Sequence, residues 1–207
     1  MSIQSRIFVS TLTFVMAAAV PAAHAQLGVA AGLNFDRLGD ISTQSGAANF
    51  DNATGYHFGV FFDLGALPIA VRPGVFIRKA GDVDWNVTGV VESFDLTLIE
   101  VPIDVRIPLL QAPLLKPYLL GGPVVSFPRS NRDEIQDSFE DFLLSGSIGV
   151  GVEVKVPAIG LRLYPEVRYA FGVSRFMKDS FTIGGVSFDA EDSTRLSAVM
   201  VRLGVGL

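Results

Sequence analysis

The side chains of this sequence that could do chemistry stand on alternate positions. Glu100, Asp104 and Arg106 are interleaved with Ile99, Val101, Ile103, Val105 and Ile107, so charges take one face of an extended segment and aliphatic groups the other. The same parity gathers Asp63, Arg72, Arg78, Glu153, Lys155, Arg162, Glu166, Arg168 and Arg202 on polar faces. Charges of both signs withdrawn from water must pair, because a lone buried charge carries a desolvation cost of several kcal/mol. The pattern therefore predicts a network of ion pairs and hydrogen bonds. An ion path lined by the same groups is the alternative. Across hairpins, the expected neighbours are Arg72 or Arg78 with Glu100, and Glu153 with Arg162.

Other residues suggest sharper chemistry, and for each a plainer reading is preferred. His57 is the one histidine beyond residue 25. A catalytic role, as in a lipid-editing hydrolase, would need a serine and a carboxylate, but no spacing selects them and triads are set by geometry. Packing or hydrogen bonding in the interior is the expectation. Asp82-Val83-Asp84-Trp85-Asn86 resembles the start of a calcium loop, but Val87 stands where glycine is required and Ser93 where the closing glutamate belongs. A solvated acidic loop is expected, with Trp85 suited to the lipid headgroup level. Ile135, Phe139 and Phe142 have helical spacing, which fits a short helix over the mouth of the fold or an ordinary loop cap. Asn52 and Asn86 match a glycosylation pattern that a bacterial origin would make irrelevant. No catalytic residue, metal or cofactor is expected, and the chain is not expected to be an enzyme.

The elements that must position these groups are strands. Eight β-type segments are expected near 26–35, 55–65, 69–80, 94–108, 116–127, 143–155, 161–174 and 194–207, each the length of a tilted strand crossing a bilayer. Three connections are short: Ala66-Leu67-Pro68, the turn around Gln111-Ala112-Pro113, and Val156 to Gly160. The others, 36–54, 81–93, 128–142 and 175–193, are long and polar. Short turns at one end and long loops at the other are the arrangement of a transmembrane barrel, with the short turns periplasmic.

The N-terminus fits export. Residues 1–25 read as a signal peptide: a short n-region, Met1 to Arg6, with Arg6 its one basic side chain, an apolar run over Ile7–Val20, Pro21, then Ala23-His24-Ala25, with cleavage between Ala25 and Gln26. Residues 26–207 then form one barrel domain. The chain of 207 residues has no cysteine, which excludes a disulfide scaffold and a lipid anchor on cysteine. The net charge of −5 includes no basic patch, so nucleic acid is not an expected partner. Mean hydropathy is +0.44, yet no apolar run beyond Val20 reaches the length of a membrane helix.

A soluble exported sandwich or ligand-binding barrel would alternate in the same way with its apolar face turned inward. Two further features favour lipid outside. The apolar faces carry almost no charge across their middles. The polar faces hold Gly28, Gly32, Gly59, Gly74, Gly149, Gly151, Gly204 and Gly206, which make room inside a narrow barrel. The fold class expected is all-β: an eight-stranded antiparallel up-and-down transmembrane barrel, monomeric, with outer-membrane lipid and the assembly machinery as its partners.

Several strands carry a family resemblance. Gly28-Val29-Ala30-Ala31-Gly32-Leu33-Asn34-Phe35, Leu98-Ile99-Glu100-Val101-Pro102-Ile103-Asp104-Val105 and Lys116-Pro117-Tyr118-Leu119-Leu120-Gly121-Gly122-Pro123 resemble strands one, four and five of the PorT-like outer-membrane β-barrel family. Gly149 to Glu153 and Pro165 to Tyr169 continue the resemblance over the rest of the chain. It implies an outer-membrane location and an eight-stranded barrel, and no single activity. The chain departs from the usual pattern at its end, where Leu207 replaces the aromatic residue that assembly commonly reads.

Overall fold

The strands form where apolar and polar residues alternate, because a period of two gives each strand one face for lipid and one for the interior. A computed structural model of the chain describes residues 25–38, 41–43, 46–50, 53–66, 69–87, 90–110, 112–130, 140–174, 180–183, 186–189 and 195–207. The expected signal segment, apart from Ala25, lies outside them, as do residues 133–139 of the stretch with helical spacing.

The strands are β1 (Ala25–Leu38), β2 (Ile41–Thr43), β3 (Gly46–Phe50), β4 (Ala53–Ala66), β5 (Ile69–Val87), β6 (Val90–Pro108), β7 (Leu115–Ser130), β8 (Leu143–Val156), β9 (Leu161–Gly172), β10 (Ser180–Ile183), β11 (Val186–Asp189) and β12 (Leu196–Gly206). Eight of them, β1, β4, β5, β6, β7, β8, β9 and β12, pair antiparallel in a closed ring. First and last strands meet: Gly28 lies opposite Gly206 and Leu38 opposite Leu196. The pairing of β5 with β6 completes the circle. Closure leaves these strands no free edge, which a structure surrounded by hydrocarbon requires.

The outer wall is apolar. Val29, Leu33, Phe58, Val60, Ile103, Ile148, Val167 and Leu203 are all exposed on it. The intervening residues are buried in the lumen. The turn between β8 and β9 is held by the bond from the Ile159 amide to the Val156 carbonyl (3.3 Å). It closes on Gly160, whose φ of 70° lies in the left-handed region that side chains disfavour.

The eight membrane segments stand where expected, but several long connections differ from the sequence reading. The stretch 36–54 holds the hairpin β2–β3, and 175–193 holds β10–β11. The calcium-like run 82–86 is strand, not loop: β5 and β6 stay paired from Asp82 opposite Asp95 to Val87 opposite Val90, beyond a register shift between Lys79 and Asp82. A stretch of paired strand does not wrap around a cation, so that resemblance fails on backbone geometry. The alternation continues past the bilayer because a hairpin satisfies its backbone in water as well as in lipid.

Candidate functional site

The lumen is lined by charges that begin at the end of the barrel where the short turns, the start of β1 and the end of β12 lie. Arg106 reaches two carboxylates there: Asp63, through a short contact to Nη1, and Glu153, at 3.4 Å from Nη2. Glu153 also faces Arg162 at 3.9 Å. Gln26 Oε1 accepts from Tyr164 Oη (2.8 Å) and from Arg162 Nη1 (3.3 Å), joining β1 to β9 across the opening.

The chain of ion pairs then climbs. Arg72 donates to Asp63 (2.9 Å) and to Glu166 (2.7 Å), and Tyr118 Oη donates to the same Glu166 oxygen (2.7 Å). Arg168 lies 3.6 Å from the other Glu166 oxygen and makes a short bond to Asp104, which also accepts from Ser147 Oγ (3.4 Å). Seven charged residues of β4, β5, β6, β8 and β9 thus form one unbroken path, Glu153–Arg106–Asp63–Arg72–Glu166–Arg168–Asp104.

A second group occupies the half toward the long hairpins. Arg202 Nε donates to His57 Nε2 (3.1 Å), so the ring proton sits on Nδ1, which faces Asn34 Oδ1 at 3.4 Å. Asn34 Nδ2 donates to the Lys79 carbonyl (3.0 Å) and makes a short bond to Asp36. Arg78 lies between Asp36 (3.6 Å) and Glu100 (3.3 Å) at ion-pair distances. A cavity of about 20 Å³, lined in part by Arg78, Leu98 and Ser126, adjoins this group.

Aromatic rings fill the space between the ions. The Arg72 guanidinium is 4.3 Å from the ring centres of both Phe61 and Tyr164. Arg106 stacks on Tyr118 at 4.1 Å and Arg202 on Phe76 at 3.9 Å. A planar cation keeps its edge for hydrogen bonds while its faces are covered by π-systems, so arginine suits this interior better than lysine. Glycine makes the rings fit. A Cβ at Gly28 would stand 2.2 Å from Phe61, and one at Gly151 would stand 2.6 Å from Tyr118.

Of the twelve residues singled out in the sequence, the structure buries Asp63, Arg72, Arg78, Glu100, Asp104, Arg106, Glu153, Glu166, Arg168 and Arg202 in the lumen. Lys155 and Arg162 lie at the rim beside the short β8–β9 turn, only partly covered. Arg78 meets Glu100 and Glu153 faces Arg162, while Arg72 turns to Asp63 and Glu166. Sequence reasoning missed Gln26, Asn34, Asp36, Tyr118 and Tyr164 as members of the network. Their even–odd parity with neighbouring buried positions carried the signal. No group of three or more potential metal ligands occurs among the described residues.

No family model matches the sequence, and no curated protein matches it. Solved structures share its architecture. The outer membrane protein OprG of Pseudomonas aeruginosa superposes with a TM-score of 0.51 at 12% identity, covering 89% of this chain and 97% of that one. Neisserial surface protein A gives 0.48 at 13% identity, covering 88% and 98%. The attachment invasion locus protein of Yersinia pestis gives 0.46 at 11%, covering 89% and 99%. The ring of eight strands, its apolar outer wall and the likeness to OprG make the fold that of a β-barrel of the bacterial outer membrane.

Proposed function

We propose that this chain is a structural or interaction barrel, with a lumen closed by its own side chains and its functional surface on the extracellular hairpins and loops. The observation that carries this reading is the continuous ion-pair path from Glu153 to Asp104, stacked against Phe61, Tyr118 and Tyr164. Eight strands enclose a bore that side chains can fill, and the path crosses that bore. Six buried carboxylates (Asp36, Asp63, Asp104, Glu100, Glu153 and Glu166) stand among the buried arginines 72, 78, 106, 168 and 202, with Lys155 and Arg162 at the rim, so the lumen carries its own counter-charges. Within the class, the resemblance of the first, fourth and fifth membrane strands supports a PorT-like barrel. A monomer that meets outer-membrane lipid and, during biogenesis, the assembly machinery completes the proposal.

The reading treats the barrel as non-enzymatic. His57 is engaged by Arg202 and Asn34, and neither supplies the nucleophilic hydroxyl that a lipid-hydrolysing triad needs. Single-channel recording in planar bilayers is the test. The plugged barrel is expected to give no conductance steps above the lipid baseline, and regular steps would establish a channel instead. Lipid mass spectrometry with and without the protein, and with His57→Ala, is expected to show one unchanged profile.

A further inference from the structure

At the short-turn end, the mouth of the lumen holds cations that its carboxylates do not answer. Lys116, Lys155 and Arg162 share the parity of the buried Tyr118, Glu153 and Tyr164, so they face the lumen from the consecutive strands β7, β8 and β9. Lys155 lies opposite Arg162 in the register, and Lys116 opposite Glu153. Strands stand about 5 Å apart, so the three cations spread over about 10 Å. The charge that acts most strongly on Lys155 is that of Lys116. Among the described residues, no carboxylate forms an ion pair with either lysine, and Glu153 turns instead to Arg106 (3.4 Å) and Arg162 (3.9 Å). No other side chain at this end can supply one, because residues 1–35, 64–71, 107–115, 154–161 and 203–207 contain neither aspartate nor glutamate.

Glu153 adds an acceptor to the same mouth. Its Oε2 takes the bond from Arg106, while Oε1 faces the partly exposed Arg162 and has no hydrogen-bond donor, although the side chain is only 10% exposed. A buried carboxylate oxygen without a donor is uncommon and marks a place for one. The lumen is closed directly beneath: the Arg106 guanidinium lies 4.1 Å from the ring centre of Tyr118 and 4.9 Å from that of Tyr164. Two unanswered ammonium groups therefore stand at the rim of a closed-bottomed mouth, with an unanswered acceptor beside them.

We infer that this mouth binds the last residue of a peptide, with its terminal carboxylate on Lys116 and Lys155 and its amide N–H on Glu153 Oε1. The inference goes beyond the proposed role, which puts the functional surface at the opposite end. The two kinds of group select the occupant. A simple anion would meet the lysines and set more negative charge against Glu153 without giving it a donor. A cation would meet Glu153 and be repelled by the lysines. A peptide end carries a carboxylate and an N–H within one residue, and each makes a charge-assisted contact here. The lysines face inward, away from the lipid headgroups around the outer wall. With the short turns periplasmic, as their lengths predict, two sources share this chemistry: stem peptides of the cell wall, which end in D-residues, and polypeptide ends of L-residues.

Nuclear magnetic resonance of the refolded chain in an uncharged detergent, with lysine carrying carbon-13 at Cε, tests the inference. Acetyl-alanyl-alanine with a free carboxylate is expected to shift the Lys116 and Lys155 signals saturably and to leave that of Lys79, at the other end of the barrel, in place. Its carboxamide should bind about tenfold more weakly, and so should acetyl-alanyl-lactate, in which an ester oxygen replaces the last N–H. Lys116→Gln with Lys155→Gln, read from the peptide's own methyl signals, should weaken binding about tenfold. Absence of a saturable shift in the wild type would overturn the inference even if the variant failed to fold, and so would a folded variant that binds like the wild type. Equal binding of the peptide, its lactate analogue and inorganic sulfate would also overturn it, in favour of a plain anion site. Titration with the D,D and L,L forms of the peptide identifies the source: tighter binding of the first supports a cell-wall stem peptide, and of the second a polypeptide end. A gel-mobility shift between unheated and boiled samples, run beside each titration, establishes that the ring is closed, so that lost binding is not mistaken for a lost barrel.

Discussion

Arg72 lies between the rings of Phe61 and Tyr164 with Asp63 and Glu166 at its nitrogens, and its removal would leave two buried carboxylates short of a counter-ion. Arg72→Met keeps most of the volume and none of the charge. It is expected to destabilise the barrel by about 3–5 kcal/mol, read from urea unfolding in lipid vesicles. His57→Leu should cost less, about 1–3 kcal/mol, because it unpairs Arg202 Nε and Asn34 Oδ1, each still beside other polar groups. Adding bulk works against the same interior. Gly151→Val would push the Tyr118 ring off Glu166, and a loss of about 1–3 kcal/mol is expected in the same assay. The identity of the lumen residues was legible from parity, but their partners were not. Arg72 and Glu166 are 94 positions apart and meet across the bore from β5 and β9, which share no hairpin. The Arg78–Glu100 contact was legible because β5 and β6 are consecutive and their register follows from one turn. Asp36 escaped notice because a charged residue after Phe35 reads as the start of a loop, whereas β1 runs on to Leu38 and carries Asp36 inward.

At the scale of the strand, position along the axis decides what a substitution costs. Ile103 stands outward near the middle of the apolar stretch of β6 that runs from Ile99 to Ile107, and Thr97 stands on the same face just beyond that stretch, toward the long hairpin. An arginine at Ile103 has no water within reach, and Ile103→Arg should cost about 2–4 kcal/mol, while Thr97→Arg should cost about 0–1 kcal/mol. Vesicle unfolding of the two variants side by side measures the difference, and equal costs would mean that the belt is not centred on Ile103. The same dependence on depth explains which strand ends were legible. The short-turn ends of β6, β8 and β9 fall where apolar alternation meets Pro and Gly, and the sequence marks them clearly. The ends of β5 and β6 at their long hairpin were read about seven and four residues short, because polar residues after Lys79 were taken as loop. Polarity there marks the limit of the bilayer rather than the end of hydrogen bonding, and the pairing continues to Val87 and Val90.

The whole molecule inverts the arrangement of a water-soluble domain, and its folding should show that inversion. Arg72, Arg78, Arg106, Arg168, Arg202 and the carboxylates that face them are inside, while Val29, Phe58, Ile103, Ile148, Val167 and Leu203 line the outside. In water the outer wall would be a continuous apolar patch encircling the barrel, far larger than a soluble monomer tolerates. In detergent the wall is covered, and ring closure through Gly28–Gly206 at one seam and Arg72–Asp104 at another register row leaves no edge from which unfolding can start. Circular dichroism of the chain refolded from urea should therefore be β-rich when micelles are present and lack that signal in plain buffer. The micelle-bound form should migrate differently on a gel before and after boiling, because the closed ring resists dodecyl sulfate until heat opens it. A monomer that folds in plain buffer and migrates identically with or without boiling would require the apolar faces to pack against each other, in a soluble sandwich. That arrangement would bring Arg72, Arg168 and Arg202 into water and dissolve the ion-pair path from which the plugged lumen is argued.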